Sequence, residues 1–137
     1  MRTLALDVGE KRIGVAVSDP LGITAQGLDV LAHDARIFDR ISELCREYDV
    51  AQVVVGLPLN MNNTRGPAAE NALEFAHQVA TASGLPVVLE DERLTSAAAQ
   101  RLMIDADVRR SKRRQNVDTM AAVMILQSFM QRSECRE

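Results

Sequence analysis

Asp7 closes the apolar run Leu4-Ala5-Leu6 and is followed by Val8-Gly9 and then by a second apolar run, Arg12-Ile13-Gly14-Val15-Ala16-Val17-Ser18. An ionised carboxylate at the end of an apolar strand costs several kcal/mol to desolvate unless something compensates it. A metal ion, a cluster of donors or exposure at a sheet edge would do so. Two further acidic sites stand far down the chain at the ends of predicted elements: the run Glu90-Asp91-Glu92 and Asp118. Oxygen ligands drawn from separate elements suit hard cations such as magnesium or manganese, which accept water and phosphate oxygens in their remaining positions. Two such ions about 3.5–4 Å apart can activate a water and stabilise the leaving oxygen of a phosphodiester.

Each acid also has a plainer explanation. An Asp in the first turn of a helix complements the helix dipole, and the run at 90–92 reads equally well as a solvated strand end. Ala121 and Ala122 lie three and four residues beyond Asp118 and would let that helix approach a sheet closely. Pleating puts Glu90 and Glu92 on one face and Asp91 on the other, so strand parity does not choose among the three.

Charge has the same local character. The net charge is -3, which argues against bulk electrostatic capture of a polyanion, yet Arg109, Arg110, Lys112, Arg113 and Arg114 crowd one stretch just before Asp118. Such a stretch either balances nearby acids or neutralises phosphates as a backbone reaches the acidic site. Arg93 has the same two options, a pair with Glu92 or a phosphate. Lys11 and Arg12, just past Asp7, are candidate nucleic-acid contacts as well. Asn60, Asn62, Asn63 and Thr64, in a loop leading to a helix start, offer neutral partners for sugar or phosphate oxygens.

The elements that must position these residues follow from periodicity. Strands are predicted over Thr3–Val8 and Arg12–Ser18, joined by Gly9-Glu10-Lys11 as a hairpin, with a third over Gly27–Leu31. Ile37, Ile41, Leu44, Cys45 and Tyr48 recur at helical spacing within 34–48. Gln52–Gly56 reads as a strand buried on both faces, and 57–66 as a loop. Pro67 opens a helix that ends near Gly84. A fifth strand covers Pro86–Leu89, Thr95 or Ser96 caps a third helix to Ala106, and a basic loop over Asp107–Asn116 precedes a last helix from Val117 to Arg132. Ser133–Glu137 is expected to fray.

A leading meander followed by strand–helix alternation implies an α/β fold with a mixed sheet and helices on both faces. Right-handed crossovers would set strands four and five parallel to strand one. If strands one and five are neighbours at the sheet's centre, Asp7 and the acidic run converge at their carboxyl ends.

Composition bounds the rest. A chain of 137 residues, 47% hydrophobic but without Trp and with one Tyr and three Phe, is expected to form one domain around an aliphatic core. Cys45 and Cys135 are too few for a disulfide framework, which points to a reduced, cytoplasmic protein. The strand-first start carries no signal-peptide pattern, and no apolar run reaches membrane-spanning length. His33 and His77 are isolated and support no zinc site.

Four segments together resemble the bacterial YqgF/RuvX family, RuvC-like Holliday-junction resolvases also described as nucleases maturing pre-16S rRNA. They are Asp7-Val8-Gly9-Glu10-Lys11-Arg12-Ile13-Gly14-Val15-Ala16, Val54-Val55-Gly56-Leu57-Pro58-Leu59-Asn60-Met61, Asp91-Glu92-Arg93-Leu94-Thr95-Ser96 and Val117-Asp118-Thr119-Met120-Ala121-Ala122. They occur in the family's order and span nearly the whole chain.

The resemblance implies a ribonuclease-H-like fold over residues 1–137, five-stranded, with a three-stranded antiparallel meander and two parallel strands. It implies a magnesium or manganese site held by Asp7, Glu92 and Asp118, and it is the resemblance that selects Glu92 within the acidic run. Glu10 stands where such sequences often carry a small or hydroxyl residue, and Asn62-Asn63 where Asp-Gly is frequent; neither departure removes a proposed ligand.

The expected function is metal-dependent hydrolysis of structured RNA, with pre-16S rRNA favoured. The alternatives are a dimeric resolvase of four-way DNA junctions and, from another class, a non-catalytic nucleic-acid-binding or ribosome-assembly factor. A nucleotide-binding domain of the actin and sugar-kinase type, which also carries an Asp-x-Gly hairpin, ranks last because one domain of this length lacks a second lobe to close over ATP.

Overall fold

The computed structural model describes residues 2–58, 66–91 and 110–135, with side chains described throughout except at 110–118 and 132–135. Five strands, β1 (Arg2–Val8), β2 (Arg12–Ser18), β3 (Ala25–Ala32), β4 (Val50–Leu57) and β5 (Val87–Asp91), form one sheet in the order β3-β2-β1-β4-β5. β1, β2 and β3 pair antiparallel as a meander, while β1 with β4 and β4 with β5 run parallel. Helices α1 (Ile37–Glu47) and α2 (Pro67–Ser83) pack on one face and α3 (Arg110–Cys135) on the other. This is the expected mixed α/β sheet. The sequence-predicted helix over 95–106 and most of the 57–66 loop lie outside the described residues.

The strand pleat sorts side chains by size. Leu4, Leu6, Ile13, Val15, Val17, Val53 and Val55 form the large aliphatic core with α1 and α2. The alternate positions, Ala5, Ala16 and Val54, meet Ala122, Ile125 and Leu126 of α3. β4 is buried on both faces, with Val53, Val54 and Val55 fully inaccessible, as its continuous apolar run predicts. Small residues on the α3 side let that helix lie close to the sheet. Gly27 marks the tightest approach: a Cβ there would stand 2.8 Å from Thr119 Oγ1 and 3.0 Å from its Cβ.

Local signals set most boundaries. Pro67 occupies the first turn of α2, and Gly84 ends it in the left-handed conformation at φ 72°. α1 starts at Ile37 rather than Asp34 because the Asp34 carboxylate accepts the Arg36 N–H at 2.9 Å, a turn that precedes the helix. Cys45 is buried on α1's inner face, and burial pushes its thiol up against the opposing pull of the Arg46 charge.

Three expectations need correction. β4 lies between β1 and β5, so the strands ending in Asp7 and the acidic run are not neighbours. β5 extends through Glu90 and Asp91, which pair with Gly56 and Leu57; the ladder continues as far as β4 offers partners. The basic segment is not a loop up to Asn116: α3 begins at Arg110 and runs to Cys135, past the expected end and into the supposed tail. Arg, Lys and Gln are good helix formers, and no Gly or Pro interrupts 110–135.

Gly27→Val is expected to destabilise the fold by about 1–3 kcal/mol, since Thr119 is itself stiff and α3 would have to move away. Urea unfolding compared with the parent chain measures the loss.

Candidate functional site

Asp7 follows Leu6 in β1, and alternation turns it to the same face as Ala5, the face covered by α3. It is partly buried. Its antiparallel partner is Gly14, and because Leu6 pairs with Val55, Asp7 is level with Gly56 on the other side. The carboxylate therefore stands between two positions that carry no side chain, at the carboxyl end of the central strand. Ligands of α/β folds characteristically bind at this end of the sheet.

The turn after Asp7 is held in place. Gly9 N–H donates to Arg12 O at 3.0 Å, and a Cβ on Gly9 would meet that same oxygen at 2.7 Å, so the turn closes only with glycine there. His33, at the end of β3, reaches across: its Nδ1–H donates to Gly9 O at 2.7 Å, and its backbone N–H donates to Lys11 O at 2.9 Å. Its ring lies edge-on to Phe75 with centroids 5.4 Å apart. This hydrogen bond defines the tautomer, and His33 acts as a brace for the hairpin that carries Asp7. Sequence reading missed that role, because the link spans 24 positions and no local pattern announces it.

Glu90 extends the row. It pairs with Gly56 and is fully buried, on the same face as Val88, which packs with the α3 cluster. Asp91 pairs with Leu57, alternates to the opposite face and is only half-buried. Among the described residues of the acidic run, Glu90 is the one that shares a face with Asp7.

Asp118 lies eight residues into α3, roughly 12 Å from its start along the axis. A dipole role belongs to the first turn and does not apply there. Asp118 is one turn before Ala122, which is fully buried against β1, β2 and β4. Arg110, Lys112, Arg113 and Arg114 occupy the first turns of the same helix, N-terminal to it. Lys11 and Arg12 are exposed beside the hairpin, Arg12 on the α3 side of β2. Glu92, Arg93, Asn60, Asn62, Asn63 and Arg109 lie outside the described residues.

A cleft of about 780 Å³ opens on the other side of β1, between the hairpin, the start of α1 and one face of α2, and includes Glu10, Asp34 and Glu74. It does not face Asp7. Among the described residues no group of three or more His, Cys, Asp or Glu is close enough to hold a metal. The acids that share the α3 face, Asp7 and Glu90, offer hard carboxylate oxygens of the kind that suits magnesium or manganese rather than a soft metal.

The model of the family described as "RuvX: Holliday junction resolvase" matches residues 1–132. The chain belongs to this family. A relative from Listeria monocytogenes serotype 4b (strain CLIP80459), named "Putative pre-16S rRNA nuclease", is 54% identical over 134 residues, covering 95% of this chain and 97% of that protein. One of the same name from Pelotomaculum thermopropionicum is 56% identical, covering 95% and 86%. Among solved structures, T. thermophilus RuvC in complex with a Holliday junction substrate superposes with a TM-score of 0.64 at 17% identity, covering 98% of this chain and 96% of that one. The fowlpox virus Holliday junction resolvase gives 0.58 at 13% identity, covering 97% and 99%. These likenesses carry the fold: a RuvX chain with the RuvC-like, ribonuclease-H-type sheet.

The placement of Asp118 depends on how closely α3 seats on the sheet. Ala122→Leu is expected to cost about 1–3 kcal/mol by overpacking, whereas Gln127→Leu, exposed on the same helix, should stay within about 0.5 kcal/mol of the parent. Thermal unfolding of both variants measures the contrast.

Proposed function

We propose that the chain is a divalent-metal-dependent nuclease that hydrolyses phosphodiester bonds in structured RNA, with pre-16S rRNA as its target. We also propose that residues 1–137 act as one cytoplasmic domain. The observation that carries this reading is Asp7 itself: a carboxylate at the carboxyl end of the central strand, flanked by glycines and facing the helix that holds Asp118. The names of the relatives support the substrate. Among the described residues no helix is long and apolar enough to cross a membrane.

Asp7, Glu92 and Asp118 would hold magnesium or manganese, which when bound supplies Lewis-acid activation and charge neutralisation at the phosphate. The gaps at Gly14 and Gly56 leave room beside Asp7 for a phosphodiester to approach. Lys11 and Arg12 at the hairpin, with the positively charged positions Arg109, Arg110, Lys112, Arg113 and Arg114 and with Arg93, would contact phosphates on either side of the scissile bond. Asn60, Asn62 and Asn63, in the stretch between β4 and α2, would meet sugar or phosphate oxygens. In the reaction a water oxygen bonds to phosphorus, the bond to the leaving sugar oxygen breaks, and the proton ends on that oxygen.

The family's description favours a second reading, cleavage of four-way DNA junctions by a dimer presenting two sites. Incubating one preparation with a ribosomal RNA precursor and with a four-way DNA junction separates the two substrates. Light scattering of the same preparation adds the test of dimerisation.

Asp7→Asn is expected to lower cleavage at least about 100-fold with the circular dichroism spectrum unchanged, since removing even an outer-shell partner of a metal ligand costs 10–100-fold. Undiminished hydrolysis by this variant would refute the assignment. Intact RNA binding without any manganese-dependent change in stability would favour a non-catalytic binding factor.

A further inference from the structure

We infer that Glu90 is a further carboxylate of the cation site, set opposite Asp7 across Gly56. The inference rests on the metal-dependent reading above and adds to it a residue that the family resemblance does not supply.

Three features of the sheet converge on it. The first is register. Glu90 pairs with Gly56, and Gly56 is level with Asp7, so the two acids occupy one row across three parallel strands. Their backbones are two strand spacings apart, about 9–10 Å, and glycine between them places no side chain in the interval.

The second is face. Val87 and Leu89 pack with the α1/α2 core and Val88 with the α3 cluster, which turns Glu90 toward α3 as Ala5 shows for Asp7.

The third is burial. Glu90 is 0% exposed, at the end of an edge strand where a glutamate would ordinarily extend into water. It is buried on the sheet face that it shares with Asp7. A carboxylate held inside a protein is tolerated where positive charge or donors meet it. A cation shared with Asp7 would lie on this same face, beside whatever other groups meet the carboxylate. Asp91, half-buried and on the opposite face, has neither property.

Manganese binding to the full chain, followed by calorimetric titration and by the electron spin resonance of free Mn²⁺, tests the inference without any cleavage assay. The parent chain, Asp7→Asn and Glu90→Gln are compared. Glu90→Gln keeps the shape and a hydrogen-bonding oxygen but removes the charge, so a merely structural role would leave Mn²⁺ affinity unchanged. The expected result is a loss of affinity of about 10–100-fold in Glu90→Gln, with circular dichroism unaltered.

Parent-like affinity in Glu90→Gln, alongside weakened binding in Asp7→Asn, overturns the role of Glu90 and leaves the metal site standing. No Mn²⁺ binding by the parent, or none lost in Asp7→Asn, overturns the metal-dependent reading and this inference with it. Should Glu90→Gln not fold, Glu90→Asp retains the charge on a shorter stem. Weakened Mn²⁺ binding is expected of it, and parent-like affinity overturns the assignment.

Discussion

The seating of α3 on a face of small side chains is the constraint on which the candidate site depends. Ala5, Ala16 and Gly27 present little bulk on that side of the sheet, and Ala122 answers them from the helix. Helix and sheet therefore come together more closely than Leu or Val at the same positions would permit. The large aliphatics are displaced to the opposite face, where Leu4, Leu6, Val15, Val53 and Val55 support α1 and α2. One pleated sheet thus has a thick aliphatic side and a thin side that carries the candidate acids.

Charge enters only at the end of the thin side. Within β1 the α3-facing positions run Thr3, Ala5, Asp7, and within β5 they end on Glu90, so apolar packing gives way to carboxylates at the carboxyl ends of the parallel strands. Gly14 and Gly56 empty the row beside Asp7. His33 ties the hairpin beyond it to the end of β3, with Phe75 against the edge of its ring. The carboxylate is placed on a rigid strand end rather than a loop, and the turn that follows is braced from across the sheet.

What was legible beforehand was local. The β1–β2 hairpin followed from two apolar runs around a short glycine-containing turn, β4 from an unbroken Val-rich run, and α2 from Pro67 at one end and Gly84 at the other. Asp7 stood out because a charged residue closing an apolar strand is costly wherever it lies. The start of α3 is hard to read from sequence because a dense basic stretch resembles a loop by charge, although its residue types favour helix. The adjacency of β1 and β5 was misjudged because strand order is a property of crossovers, and β4 occupies the position between them.

The sequence by itself determined the alternation of large and small side chains in each strand, the aliphatic nature of the core, the family and the identity of the acids available. It left open which of the acids at 90–92 faces Asp7, since parity within one strand assigns faces only relative to its neighbours. Tertiary structure decided that among the described positions: β4 sets the register of β5, and the packing of Val88 against α3 turns Glu90, not Asp91, to the side of Asp7. Long-range pairing carries this information because a strand's two faces become inside and outside only when something packs on them.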